Sequence, residues 1–263
     1  MNKDHYQNMY EFEDLHWWFC GHRNFIKTLL QQYFSPEKAA LKDKKLLDKS
    51  DSNIKLPLLM DIGCGTGKTM EEFSPLARII GCDLYAEPIR FCKKRGDFLL
   101  IQASAESLPV CKNSFDIVFI IGVLYHQGIQ NDQKVLKEAF RILKPGGVLI
   151  VTEPAFNFLY SQHDKVQHAR YRYNKRQIKG KLINAGFNIK RVGYYDFFLF
   201  PIAILVRIVR KIVPSLNNSQ SDMRHTPKLL NSILKTILFF EAKRLKTKNF
   251  PFGLSVFAVS LKP

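Results

Sequence analysis

The chain has 263 residues, 46% of them hydrophobic and 13% aromatic, enough for one large core with an elaboration and too apolar for a disordered segment. Its opening, MNKDHYQNMYEFED, shows no apolar run behind a basic leader, so the expectation is a protein without a signal peptide that stays in the cytosol. The net charge of +17 is concentrated: positions 1–154 hold 20 Lys and Arg against 19 Asp and Glu, whereas positions 155–263 hold 20 against 4. A general lysine bias would load both parts alike, so the basic last third calls for an anionic partner, be it a membrane surface, an acidic substrate or nucleic acid.

Along the chain, residues 6–34 are dense in aromatics, with Tyr10, Phe12, Trp17, Trp18, Phe19 and Phe25, and read as one or two amphipathic helices. A lysine-rich stretch, SPEKAALKDKKLLDKSDSNIK, follows, so residues 1–55 are expected to form a helical cap and its linker. From residue 56 to 153 short apolar runs alternate with helix-compatible stretches. LPLLMDIG, ARIIGCD, FLLIQAS, FDIVFIIG and GGVLIVTEP are strand-like, NDQKVLKEAFRILK is helical, and Pro145-Gly146-Gly147 should stop that helix. Such alternation implies a parallel sheet covered by helices on both faces. Beyond Pro154 come a helix near 174–185 ending at Gly186, a strand in FNIKRVGYYDFF, a helical insertion at about 197–248, and a last strand in GLSVFAVSLK. The five cysteines form no CxxC pair and are expected to serve as small apolar packing residues.

The turn MDIGCGTGKTMEEF is the most informative segment. A phosphate-binding loop needs four residues between its glycines and then Gly-Lys-Ser/Thr, but only three separate Gly63 from Gly67. The dinucleotide spacing GxGxxG also fails, because its last glycine falls on Lys68. What remains is an acidic residue followed by three alternate glycines, Asp61 to Gly67, and a carboxylate there suits an ammonium group better than a phosphate. Lys68 and Thr69 are expected to open the next helix, with Lys68 solvated.

DIGCGTG resembles motif I of the class I S-adenosylmethionine-dependent methyltransferases. GCDL, QASAESLPVCKNSFDIVFIIGVLYH and RILKPGGVLIVTEP are similar to that family's following blocks, in order, over about a hundred residues. The resemblance implies an α/β, doubly wound Rossmann-like sheet of about seven strands with the last antiparallel, the methyltransferase domain spanning residues 56–263. It implies S-adenosylmethionine as methyl donor, S-adenosylhomocysteine as product, and no metal. Asp61, Gly63, Gly65 and Gly67 would hold the methionine half. Asp83 would accept both ribose hydroxyls beside Leu84, while Ser104 stands where the family often has Asp, with Ala105 and Glu106 meeting the adenine edge. Ile121 and Gly122 would border the sulfonium.

Methyl transfer to a hydroxyl needs alignment, exclusion of water and a proton acceptor. Histidine is the natural base near neutral pH, and His126, His163 and His168 follow the fourth and fifth strands. HDKVQHARYRYNKRQI and LHWWFCGHR are similar to a generic subgroup of the family, with His168, Arg172 and Tyr173 matching its patch and Tyr171 standing where Arg is usual. Trp18 and Arg23 are the cap residues expected to face the ligands, unless the cap merely buries its aromatics on the core.

FFLFPIAILVRIVRKIV has an uninterrupted apolar run of only ten residues, too short to span a bilayer. With the helix-like LLNSILKTILFFEAKRLK it reads as an apolar, positively rimmed platform for the inner face of a membrane, or as ordinary covering helices. The expected reaction is O-methylation of a small or lipid-associated acceptor. A glycan sugar, a quinone precursor and RNA are the alternatives, with nucleic acid ranked last because no RNA-binding signature is present. A cofactor-binding scaffold without catalysis is the alternative of another class. Oligomeric state is not legible.

Overall fold

The computed structural model of the protein describes residues 3–34, 56–212 and 226–263. The expected linker after residue 34 and the polar loop containing Asn217 and Asn218 lie outside the described residues. Seven strands, β1 (Leu58–Ile62), β2 (Arg78–Asp83), β3 (Leu99–Gln102), β4 (Phe115–Ile121), β5 (Leu143–Pro154), β6 (Asn188–Tyr195) and β7 (Ser255–Leu261), form one sheet in the order β3-β2-β1-β4-β5-β7-β6. The first five run parallel to one another, and β7 lies antiparallel between β5 and β6. All seven strand-like runs of the sequence are strands, with the last antiparallel as the resemblance implies.

Strand parity explains why the central strands are apolar throughout. Met60, Ile62, Val118, Ile120, Leu149 and Val151 enter one core, while Leu59, Ile117, Phe119, Val148 and Ile150 enter the other. Alternate side chains leave a strand on opposite faces, so a sheet covered on both sides must be apolar at every position. The first core is closed by α5 (Asp132–Ile142) and α7 (Lys175–Asn184). Asn131 caps α5 by accepting from the backbone N–H groups of Gln133 and Lys134, and Asn174 with Gln177 forms a capping box on α7. Helix α5 ends at Ile142, ahead of Pro145, because a residue before proline is driven out of helical geometry; the chain then enters β5 directly.

The second core is closed by α2 (Trp17–Tyr33), α3 (Lys68–Phe73) and α9 (Lys228–Leu245). Before α2 runs α1 (Lys3–Phe12), which packs on α4 (Ala86–Arg95). Between β5 and α7 lie a 3-10 turn (Asn157–Leu159) and the short α6 (Gln162–Val166). Helix α8 (Phe200–Ile212) precedes α9 in the connection from β6 to β7. It begins after Phe197 and Phe198 because Glu241 of α9 accepts their backbone N–H groups at 2.9 and 3.3 Å. Among the described residues no helix is long and apolar enough to cross a membrane.

Candidate active site

A cavity of about 680 Å³ lies over the carboxyl ends of the parallel strands, roofed by α1, α2, α8 and α9. Open parallel sheets leave such a crevice where the connections of neighbouring strands diverge. Its floor begins at the glycine turn after β1. Gly63 has φ +74°, and a Cβ there would come 2.4 Å from the Val123 side chain, so backbone alone fits beneath the exit of β4. Gly67 has φ +87° and caps α3, and a Cβ would meet Cys92 Sγ at 2.9 Å. Its glycine requirement comes from packing, and it does not line the cavity.

Two carboxylates face this end of the cavity. Asp83 is clamped by backbone: Gly65 N–H donates to Oδ2 at 3.1 Å and Tyr85 N–H to Oδ1 at 3.2 Å. Burial pushes the Asp83 carboxyl up and these N–H groups pull it back. Asp61 is 2% exposed, and its Oδ2 is buried with no hydrogen-bond partner. Burial, aided by the Asp83 charge, pushes its carboxyl up to about 7. An orphaned carboxylate oxygen beside a second carboxylate requires a cationic donor that the described chain does not supply. An amino acid ammonium at Asp61 and vicinal hydroxyls at Asp83 meet that requirement, so the residues fit S-adenosylmethionine. Leu84, Ser104, Ala105, Ile121 and Gly122 line the same end. Glu106 does not; its Oε1 accepts from the N–H groups of Gln130 and Asn131 at 2.5 and 2.9 Å, a loop brace.

The other end is built from α2, α8 and the exits of β4 and β5. On α2 the stripe Trp18, Phe19, His22, Arg23 and Ile26 faces the cavity at helical spacing. His22 is 8% exposed with Nε2 unpartnered, and burial, then the Arg23 charge, lowers it to about 4. Thr152 Oγ1 is likewise buried and unpartnered. Glu153 accepts from the N–H groups of Val123, Leu124 and Tyr125 at 3.1, 2.8 and 3.2 Å, while burial pushes it up to about 8. Asp164 and Arg172 form a bidentate pair at 2.7 and 3.0 Å, with side chains 2% and 5% exposed.

The candidate histidines separate. His126 lines the cavity, and its Nδ1 accepts Gly128 N–H at 2.9 Å, so the neutral ring carries its proton on Nε2. His168 does not line the cavity; it sits behind His126, ring centroids 6.1 Å apart. His163 belongs to α6, and its side chain lies outside the described residues. Tyr173 is fully buried away from the cavity and donates to Asp132 Oδ2 at 2.7 Å, a core brace.

The cap is locked to the glycine turn by ion pairs that the sequence did not reveal. Arg95 donates to Thr66 O at 3.1 Å, to Glu13 Oε1 at 2.8 Å and to Tyr10 O at 3.0 Å. Glu13 also accepts from Thr66 Oγ1. Lys68 opens α3 as expected, but it is not solvated: its ammonium lies 3.3 Å from Asp14 and 2.9 Å from Glu71. The docking of the cap brings Asp14 within its reach. Arg23 lines the cavity while its guanidinium is held by Glu72 at 2.5 Å and by Glu13 O at 2.8 Å. Glu13, His22, Thr152 and Glu153 were missed; for His22 the helical spacing from Trp18 was the available signal.

Fold and site together define a protein of the class I methyltransferase type. Residues 60–151 match the methyltransferase domain family, and the chain therefore carries a domain of that S-adenosylmethionine-dependent family. It is 34% identical over 96 residues to the tRNA (carboxymethyluridine(34)-5-O)-methyltransferase of Arabidopsis thaliana, an alignment covering 36% of this chain and 23% of that one. It is 27% identical over 175 residues to the ubiquinone/menaquinone biosynthesis C-methyltransferase UbiE of Pseudomonas syringae, covering 52% and 67%. A solved methyltransferase from Thermotoga maritima shares the fold with a TM-score of 0.56 at 18% identity, over 98% of this chain and 99% of that one. The chain thus spans about a quarter of the length of the plant tRNA enzyme it matches. These relatives give no support to ranking nucleic acid last among the partners.

Proposed function

We propose that the protein transfers a methyl group from S-adenosylmethionine to a hydroxyl oxygen of a small or lipid-associated acceptor. The observation that carries this reading is the two-ended cavity: an orphaned carboxylate over a glycine turn at one end, and an apolar chamber with sparse buried polar atoms at the other. The donor, when bound, supplies a methyl group on a positively charged sulfur. Asp61 then holds the ammonium and Asp83 the ribose hydroxyls, with Leu84, Ser104 and Ala105 along the adenine edge. Trp18 and Ile26 of α2, with Leu199 just before α8 and Ala203 on it, exclude water and hold the acceptor in line with the methyl group. His22 Nε2 is the candidate proton acceptor by position, because it is buried, unpartnered and faces the chamber, although burial and the Arg23 charge make it a weak base. His126 lines the wall of the same chamber.

Two other acceptors have specific support. The tRNA methyltransferase relative and the basic last third favour RNA; the quinone C-methyltransferase relative favours a carbon of an isoprenoid quinone precursor. A scaffold that binds the donor without transfer is the remaining alternative. The deciding experiment incubates the protein with methyl-labelled S-adenosylmethionine and separate lipid, aqueous and RNA extracts. Label in the lipid or aqueous fraction, released by ether-cleaving but not by base treatment, supports the O-methyl reading. Label confined to RNA overturns it, and donor binding by calorimetry with no label anywhere favours the scaffold.

A further inference from the structure

The carboxyl-terminal third presents a cationic surface with apolar residues exposed in it. Of its four acidic residues, Asp164, Asp196 and Glu241 are buried at 2%, 0% and 0% exposure, and Asp222 lies outside the described residues. No acidic side chain therefore offsets the basic ones on the described surface of this third. Residues 197–248 alone contain ten Lys and Arg.

On α8, Ile202, Leu205, Val206 and Val209 form a helical stripe exposed at 57%, 62%, 41% and 40%. On α9, Leu229, Leu230 and Ile233 are exposed, flanked by Lys228 and Lys235. The exposed rings of Phe198 and Phe240, with centroids 6.1 Å apart, join the two helices. Ile202 and Val206 also line the cavity. Its mouth thus opens onto the apolar stripe. Isolated exposed apolar residues are ordinary, but a continuous set at a cavity mouth marks a surface that is covered in use.

We infer that α8 and α9 dock on an anionic membrane surface, so that the cavity mouth faces the lipid and the acceptor enters from it. This rests on the methyl-transfer reading for the acceptor, though not for the docking itself. Aliphatic side chains enter the acyl boundary while lysines and arginines reach the anionic headgroups, the arrangement of an in-plane amphipathic helix. RNA would be met mainly by stacking aromatics and cations, whereas here the exposed set is mostly aliphatic, with the rings of Phe198 and Phe240 among it.

The test is flotation of the full chain with phosphatidylcholine vesicles, with and without phosphatidylglycerol, at low and high salt. Binding is expected to the anionic vesicles at low salt and to weaken at high salt. The double variant Leu205→Glu with Leu229→Glu, neither residue in the cavity lining, should reduce partitioning about ten-fold while calorimetric affinity for S-adenosylmethionine and the thermal midpoint stay unchanged. No flotation of the wild type at low salt overturns the docking, as does equal flotation of the double variant. Affinity for tRNA that exceeds vesicle binding and falls in the same variant would assign the surface to RNA instead. Flotation without donor binding would sink the methyl-transfer reading and leave the docking standing.

Discussion

Asp61 and Asp164 are both carboxylates 2% exposed at the wall of one cavity, yet they differ in every other respect. Burial alone would raise Asp164, but the bidentate Arg172 guanidinium outweighs it and holds the carboxyl below its ordinary value. Beside the glycine turn Asp61 meets no cation among the described residues, and burial, aided by the Asp83 charge, pushes it up to about 7. A buried charge that carries its own partner is part of the fold; one left without a partner is kept for a ligand.

That contrast breaks first, and with the largest effect, at Asp164. Asp164→Asn leaves Arg172 charged and buried, so the unfolding free energy by denaturant titration should fall by about 3–5 kcal/mol. Asp61→Asn should leave stability unchanged or raised, since it removes an unpaired buried acid. Equal losses in the two variants would erase the distinction. Asp83→Ala removes the acceptor of two hydroxyls and should weaken calorimetric donor affinity about 100-fold, or about 3 kcal/mol, with the fold intact by circular dichroism.

The pH dependence is the next discriminator. An acid whose folded pKa is raised from 3.8 to about 7 binds more protons folded than unfolded. Its effect is to lower stability as pH rises from about 4 to 7, fully so above 7. The wild type minus Asp61→Asn difference in stability should therefore become more negative across that window. Donor affinity should run the other way, falling as pH drops through about 7, and the variant should flatten the profile. The smallest effect belongs to Lys68, whose pairs with Asp14 and Glu71 are half exposed on the acidic side. Lys68→Ala should cost about 1 kcal/mol or less and leave donor affinity within about two-fold, because the cap stays clamped through Arg95.

The strands, their parity and the ligand turn were legible because each is set by local chemistry. Apolar runs of strand length, helix caps at Asn131 and Asn174, and glycines at positive φ follow from residues within a few positions of one another. Asp61 stands out in the sequence as the acidic residue before the alternate glycines, and Asp83 is named through the resemblance to the methyltransferase blocks. The histidines show where that reach stops. His126 and His168 both follow strand ends in the sequence, but only His126 lines the cavity, and His22 reaches it from α2, whose aromatic pattern in the sequence marks only a covering helix.

The amino acid sequence by itself determined the sheet and the glycine turn with its acidic residue, since backbone geometry and strand ends are local properties. Only the tertiary structure decided that Arg95 binds Glu13, that Lys68 meets Asp14, and that α8 lies at the cavity mouth, where Ile202 and Val206 are both exposed and part of the lining. Those outcomes depend on how α1, α2 and α8 pack against strands far away in the chain, and ion pairs across such separations exist only once burial has brought the helices together.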